Sequence, residues 1–198
     1  MNRAPCRGTV IEEKSVARQP EASPRVGALI QCMRQLRMLL ANLTDQQYSQ
    51  KPVGYFQSSL GSHVRHSLDH VRALLRARSE QFIDYDDRLR KTEIEFGRMA
   101  AISEILSFER DLGEVAEAEL NRPLLIRAML TGDGIAIDAQ TSIGRELAFV
   151  VSHTIHHNAL IGAMLHQFGV VPPADFGLAP STVAYQVEAA CVPSPSFH

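Results

Sequence analysis

The 198-residue sequence lacks tryptophan, has only three cysteines and carries a formal net charge of only -2 at pH 7. The cysteines, Cys6, Cys32 and Cys191, are widely separated and form no Cys-x-x-Cys motif. An odd, scattered set of cysteines argues against a disulfide framework and is typical of a reducing compartment. The sequence therefore predicts a cytoplasmic protein.

Long apolar runs and basic clusters are also absent. No apolar stretch approaches the ~20 residues that a membrane-spanning helix needs, and the N-terminus has no signal-peptide pattern of charged and then apolar residues. Lys and Arg are nowhere concentrated in one segment, which argues against binding to a phosphate backbone. We therefore expect neither nucleic acid nor a membrane as a partner.

Apolar residues make up 45% of the chain and charged residues 21%, an ordinary composition for a globular domain. We expect one domain at residues 26–185, long enough to bury a core without disulfides. Residues 1–25 combine three prolines with several charges and no periodic apolar set, which predicts a mobile N-terminal arm. Residues 186–198 are expected to form a C-terminal tail.

Four segments have apolar residues at intervals of three and four, which predicts four helices. Their ranges are 26–43, 59–78, 95–120 and 142–168. Serine precedes the apolar pattern of the second and fourth helices and is expected to cap them. The third helix has the weakest pattern, and its expected inward residues are Met99, Ile102, Leu106 and Leu112.

Two shorter features connect these helices. Asp133-Gly134 separates two aliphatic runs, residues 124–130 and 135–139, and an Asp-Gly pair in that context predicts a β-hairpin. So short a hairpin needs to pack against the helices to persist. Residues 84–88, Asp-Tyr-Asp-Asp-Arg, are expected to form a polar connection.

Five of the eight histidines lie at helical spacing in the second and fourth predicted helices. His153 and His157 are four residues apart, so both imidazoles lie on one helix face, and two such imidazoles are half of a transition-metal site. His63, His66 and His70 lie along the border of the apolar side of the second helix. One of them facing the fourth helix would complete a three-His site with an open coordination position.

The identity of the third ligand stays open at this point. Helical-wheel positions favour His63 or His70, which lie nearer the centre of the apolar side than His66. His63 and His70 are ~10 Å apart along a helix, so both cannot bind one ion together with His66. In the alternative without metal, the histidines are packed core residues or form a polar seam in a dimer interface.

Charged residues near these histidines have two interpretations. Asp69 can orient a liganding imidazole or pair with Arg65 at i, i+4. Arg65, Asp69, Arg72 and Arg76 are expected to share a solvated face of the second helix. Glu146 is expected to be a first-turn carboxylate that stabilises the positive end of the fourth helix.

Ser59, His66 and Asp69, together with His153-x-x-x-His157, form a pattern that resembles the DinB-like (DinB/YfiT) superfamily of metal-binding four-helix bundles. The resemblance covers about residues 26–185. It implies an all-α, up-down-down-up four-helix bundle with the hairpin between helices 3 and 4. It also implies His66, His153 and His157 as the metal ligands, zinc or nickel as the ion, and a homodimer.

The same resemblance implies a metal-dependent enzyme, either a thiol-dependent transferase or a hydrolase, with a small-molecule substrate. The arginines that could hold the carboxylates of an anionic thiol are Arg65, Arg72 and Arg145. His63 or His70 is the candidate general base. In the alternative, the chain is a non-catalytic metal-binding protein in which the ion ties the second and fourth helices together.

Overall fold

The computed structural model describes residues 23–54, 56–88 and 91–191, with side chains described as far as residue 188. In chain order, the elements of this part are α1 (Gly27–Ala41), α2 (Asp45–Ser49), α3 (Leu60–Glu80), β1 (Phe82–Asp84), α4 (Glu93–Phe96), α5 (Arg98–Gly113), a 3-10 helix (Glu117–Asn121), β2 (Pro123–Met129), β3 (Ala136–Ser142), α6 (Ile143–His166) and α7 (Pro180–Cys191). None of the helices in these ranges is both long and apolar enough to cross a membrane.

Four long helices, α1, α3, α5 and α6, enclose the core. Both α1 and α3 pack against α5 and against α6. The largest fully buried aliphatic side chains come from all four, among them Leu29, Leu36, Leu68, Ile105 and Ile161. The fold is therefore mostly helical, as predicted, because the apolar stripe of each long helix faces the others.

The predicted bounds of the first, second and fourth helices are close to those of α1, α3 and α6. Ser59 and Ser142 are the N-caps of α3 and α6, and each side chain accepts a backbone N–H bond from three residues further along the helix. At the other end of α6, Gly169 has a φ of +68°. That left-handed conformation favours glycine and ends the helix.

A small three-stranded sheet lies beside the helices and makes the predicted all-α class too narrow. Strand β2 pairs antiparallel with β3, from Pro123 opposite Ser142 to Met129 opposite Ala136, which confirms the predicted hairpin. Strand β1 pairs parallel with the other edge of β2, with Phe82 opposite Leu125. Three residues are too few to show an alternating pattern, so the sequence predicted only a polar connection beginning at Asp84.

The predicted third helix is wrong in its extent and in two of its four inward residues; Leu112 is buried and Ile102 packs partly buried against the core, as predicted. The helical segment is divided into α4, α5 and the 3-10 helix, and Gly97 between α4 and α5 has an extended conformation. The residues that α5 buries are Ala101, Ile105, Phe108 and Leu112, whereas Met99 is 62% exposed and Leu106 44% exposed. Apolar residues occur on both sides of this helix, so their spacing alone did not select the buried face.

The described residues include only a small part of the predicted arm and tail. Residues 1–22 of the predicted arm and residues 192–198 of the predicted tail lie outside the described residues. Ser23, within the predicted arm, is buried; its backbone N–H donates to the carbonyl of Val115 and its hydroxyl to Glu117. At the other end, α7 continues through the predicted boundary at residue 185.

Candidate metal centre

Helices α3 and α6 bring five histidines together where they pack against each other. His63, His66 and His70 come from α3, and His153 and His157 from α6. The ring centroid of His66 lies 5.0 Å from that of His153 and 4.7 Å from that of His157. The rings of His153 and His157 are 4.6 Å apart, as expected for an i, i+4 pair. The imidazoles of two separate helices therefore converge.

The ring nitrogens of this cluster have the spacing of metal ligands. His66 Nε2 and His153 Nε2 are 3.2 Å apart, whereas two nitrogens bound to one tetrahedral zinc ion are about 3.4 Å apart. Ligand atoms of His66, His70 and His153 all lie within 4.8 Å of one another. This three-His cluster can bind a divalent metal ion. The predicted ligand set His66, His153 and His157 stays a prediction.

The remaining nitrogens of two rings have hydrogen-bond partners. His70 Nδ1 is 2.9 Å from the carbonyl oxygen of His66, so Nδ1–H donates and the lone pair is on Nε2. His157 Nδ1 is 3.2 Å from His63 Nδ1, and one of these nitrogens donates to the other. Such bonds fix the ring orientation and the tautomer of a histidine that binds metal.

Burial lowers the pKa of the imidazoles in this cluster. The pKa of His66 falls to about 2, that of His157 to about 3 and that of His153 to about 4. Loss of hydration is the largest cause in each case, and repulsion from the neighbouring imidazoles adds to it. These three rings are therefore neutral at pH 7, which is the form that binds a metal ion.

A buried carboxylate is connected to the histidine cluster through a tyrosine. Glu146, in the first turn of α6 as predicted, is fully buried rather than only a partner of the helix dipole. Its oxygens accept hydrogen bonds from the hydroxyls of Tyr85 at 2.8 Å and Thr141 at 2.6 Å, and from Arg145 at 2.9 Å. The Tyr85 ring stacks on His70 with centroids 4.9 Å apart. Glu146 therefore connects α6 to β3. Through Tyr85 it also supports the imidazole ring of His70.

Burial and the Glu146 carboxylate raise the pKa of Tyr85 well above its ordinary value, so its hydroxyl stays protonated as a donor. No sequence pattern indicates this contact, because its members come from α6, β3 and the residue after β1.

The charged face of α3 is more covered than predicted. Asp69 is buried and accepts from Arg65 at 3.0 Å and from Arg72 at 2.5 Å, which confirms its predicted i, i+4 pair. Arg65 also pairs with Glu95, and Arg72 with Glu104. The prediction of a solvated face is wrong for Arg65 and Asp69, because α4 and α5 pack over this part of α3, whereas Arg76 is exposed as predicted.

The three arginines predicted to hold substrate carboxylates are paired with carboxylates of the chain itself. Arg65 and Arg72 pair with Asp69, and Arg145 pairs with Glu146 at 2.9 Å. Sequence reasoning missed Arg88, whose Nη1 contacts His66 Nδ1. Arg88 lies in a predicted connection, where neither helical spacing nor a motif indicates a neighbour.

The geometry defines a class of protein: a mostly helical domain with a small sheet and a histidine cluster between two helices that can hold a divalent ion. Comparison with known proteins gives the family. The model of the DinB family matches residues 30–186. The chain belongs to the DinB family, as its histidine pattern indicated.

Two further comparisons are informative. The crystal structure of the DinB-like protein YjoA from Bacillus subtilis is similar, with a TM-score of 0.56 and 16% sequence identity, over 75% of this chain and 94% of that chain. At this identity the similarity supports the fold alone. The chain is also 36% identical to FK506-binding protein 5 of Rhizopus delemar over 104 residues, which is 52% of this chain and 27% of the relative. The match spans about a quarter of the relative's length.

Proposed function

We propose that the chain binds one divalent transition-metal ion through His66, His153 and His157 and is a metal-dependent enzyme acting on a small molecule. The observation that carries the proposal is the 3.2 Å separation of two Nε2 atoms that come from different helices. Neutral imidazoles suit zinc and nickel. An ion held by three such ligands keeps a position for water or substrate and supplies Lewis-acid chemistry there.

Ring orientation favours His157 over His70 as the third ligand. An imidazole binds a metal through a lone pair in its own ring plane, so the planes of all ligands must cross at the ion. The planes of His66 and His157 are inclined by 78°, and those of His153 and His157 by 63°. His70 stacks on His153 at 3.9 Å with only 28° between the planes, and planes so nearly parallel do not cross close to both rings.

In this arrangement the other two histidines orient the ligands. His63 fixes the Nδ1 of His157 by a hydrogen bond, which leaves His157 Nε2 for the ion. His70 lies between Tyr85 and His153 and limits the rotation of the His153 ring by stacking. In this arrangement the lone pair of His63 accepts the Nδ1–H of His157, whereas His70 keeps the lone pair on its Nε2, so His70 is the better candidate for a general base.

The family resemblance supports the finer parts of the proposal. The reaction is a thiol-dependent transfer or a hydrolysis, in a cytoplasmic homodimer whose helices α1, α3, α5 and α6 run up-down-down-up. We expect a small molecule, and neither nucleic acid nor a membrane, as the partner.

A non-catalytic metal-binding protein is the second candidate. It is favoured by the position of His70, whose ligand atom lies within 4.8 Å of those of His66 and His153. Were His70 to move onto the ion beside the other three histidines, four imidazoles would close the site and leave no position for substrate. The ion would then serve to tie α3 to α6.

Metal content and affinity test the proposal. Elemental analysis of the purified chain should find one zinc or nickel ion per chain. Calorimetry should show that His66→Ala, His153→Ala and His157→Ala each abolish stoichiometric binding. His63→Ala and His70→Ala should keep the stoichiometry and weaken affinity by roughly 10- to 100-fold, as is usual for residues that orient ligands.

His156→Ala is the matched control, because His156 lies on α6 next to His157 but is exposed. The metal affinity of the His156→Ala variant should equal that of the unchanged chain. A His157→Ala variant that binds normally while His70→Ala does not would replace the proposed ligand set by His66, His70 and His153.

A further inference from the structure

A cavity of about 310 Å³ lies beside α3 and is linked to the histidine cluster through Arg88. Its wall is formed by α3, by β1 and by the residues that follow β1; the polar groups used below are Asp69, Arg72, Arg76, Asp84, Arg88 and Thr92. Arg88 belongs both to this wall and to the cluster, because its guanidinium contacts His66 Nδ1. The volume is at the lower end of the range for small-molecule sites.

Most charges on the wall are already paired within the protein. Asp69 is bound by Arg72 at 2.5 Å, and Arg76 binds Glu80 at 3.2 Å. Asp84 accepts the backbone N–H groups of the two residues that follow Tyr85, at 2.8 and 3.3 Å. These groups form the wall but have little capacity left for a ligand.

Arg88 is different. It forms no ion pair with a carboxylate anywhere in residues 23–54, 56–88 and 91–191, and its contact there is the neutral ring of His66. The neighbouring Asp87 also lines the cavity but is exposed, so water satisfies its charge. A half-buried guanidinium without an anion is costly unless a ligand supplies one.

Thr92 offers a second unused group on the same wall. It is the N-cap residue of α4, yet its side chain makes no capping hydrogen bond. Its Oγ1 is buried and has no hydrogen-bond partner in the described part of the chain. A buried hydroxyl without a partner is unfavourable, so a polar ligand in the cavity would stabilise it.

We propose that Arg88 and Thr92 bind the carboxylate group of the small-molecule substrate and hold it beside the histidine cluster. The planar guanidinium matches a carboxylate with two parallel hydrogen bonds, and the Thr92 hydroxyl donates a third. This inference rests on the proposed function, since it names the substrate class of that same site.

The contact between Arg88 and His66 couples this carboxylate site to metal binding. His66 accepts from Arg88 on Nδ1, so the ring carries its hydrogen on Nε2. A ring that binds an ion through Nε2 must carry the hydrogen on Nδ1, and a guanidinium has no lone pair to accept it. The two arrangements exclude each other, so Arg88 leaves His66 when the ion binds and becomes available to the cavity.

Acetate binding to the cobalt-loaded full chain tests this inference, because acetate is a small probe that carries the proposed group and Co²⁺ absorbs visible light. Acetate should change the visible spectrum of the loaded chain in a saturable way, and neutral acetamide should not. Arg88→Gln should raise the acetate Kd at least tenfold, and Thr92→Val about threefold. The acetate Kd of Arg88→Lys should lie between those of the unchanged chain and Arg88→Gln, since lysine keeps the charge but not the two parallel N–H donors of the guanidinium.

Arg76→Gln is the matched control: it removes a guanidinium from the same wall, but one that is already paired. Its acetate Kd should not change. The cobalt affinity of Arg88→Gln should be at least that of the unchanged chain, which a merely structural role for Arg88 would not produce. Normal cobalt uptake with an acetate Kd that Arg88→Gln leaves unchanged would overturn this inference alone. Absence of cobalt uptake by the unchanged chain would overturn the proposed function and this inference with it.

Discussion

At the scale of single residues, the centre depends on keeping imidazoles neutral and oriented without metal. Burial between α3 and α6 lowers the pKa of His66 to about 2, so the lone pair of its unprotonated nitrogen is not lost to protonation at neutral pH. Orientation comes from hydrogen bonds and stacking, including the stack of Tyr85 on His70. The Tyr85 hydroxyl in turn donates to Glu146, so the Tyr85–Glu146 pair supports the site.

Removing the Tyr85 hydroxyl tests this support. Tyr85→Phe keeps the ring that stacks on His70 but takes one donor from the fully buried Glu146. Because the acceptor is a carboxylate, we expect a loss of about 1.5–3 kcal/mol in the free energy of unfolding, measured by urea denaturation of the metal-free protein.

Tyr48→Phe is the control for that measurement. The Tyr48 hydroxyl donates to a neutral acceptor, the carbonyl of Ile94, at 2.5 Å, so the expected loss is only about 1 kcal/mol. Equal losses in the two variants would show that the charge of Glu146 adds nothing to the Tyr85 bond.

At this scale the sequence predicted contacts between residues that are close together along one helix. The four-residue interval placed His153 and His157 on one face, and the five histidines do meet between α3 and α6. Arg88 and the Tyr85–Glu146 bond could not be predicted, because each joins side chains more than 20 residues apart in positions that no periodic pattern links. Only the packing of complete elements brings such residues together.

At the scale of elements, α3 is fixed against its neighbours by close backbone contact as well as by side chains. Gly61, in the first turn of α3, lies so near α4 that an added Cβ would be 2.0 Å from the carbonyl oxygen of Glu95 and 2.8 Å from the Tyr48 ring. A backbone atom at that distance cannot rotate away, so the contact requires glycine.

Gly61→Ala should therefore destabilise the protein by about 1–3 kcal/mol, the usual cost of overpacking. Gly113→Ala is the matched control, because Gly113 is in α5 with nothing within 4 Å of the added Cβ. That change should stabilise the protein by a few tenths to about 1 kcal/mol, as alanine has the higher helix propensity. Thermal unfolding followed by circular dichroism measures both, and a neutral Gly61→Ala variant would contradict the close approach of α3 and α4.

Elements with a strong local signal could be predicted, and those without one could not. The capped, strongly periodic helices α3 and α6 and the Asp-Gly hairpin follow from residues within each segment. The strand β1 exists because β2 offers it an edge, and the division between α4 and α5 at Gly97 depends on how both pack against α3. These features are set by tertiary contacts, which override weak local preference.

At the scale of the whole molecule, an ion held by residues of α3 and α6 would bind the folded state and not the unfolded chain. Free metal at about 100 times its Kd then adds roughly 2.7 kcal/mol of stability. For a domain of this size, that corresponds to an increase of roughly 5–10 °C in Tm.

Differential scanning calorimetry of the zinc-loaded and chelator-treated protein measures this increase. His66→Ala should unfold at the same Tm with and without zinc, while the exposed His156→Ala should keep the full increase. An equal effect of zinc on both variants would place its binding outside the cluster.

The fold at this scale could be predicted because the histidine pattern identified the DinB family, which the match over residues 30–186 then showed. The pattern did not contain the strand β1, which exists through its pairing with β2, or the range of α7. The carboxylate site that we propose is not contained in that pattern either, because Arg88 and Thr92 belong to no periodic segment.

An anomalous difference map from crystals of the zinc-loaded chain, recorded at the zinc edge, tests the central claim most directly. We expect one peak between α3 and α6, about 2.0–2.1 Å from the Nε2 atoms of His66, His153 and His157, as is usual for zinc bound by imidazole. A map without a peak among these three rings, in crystals that contain zinc, would contradict the account.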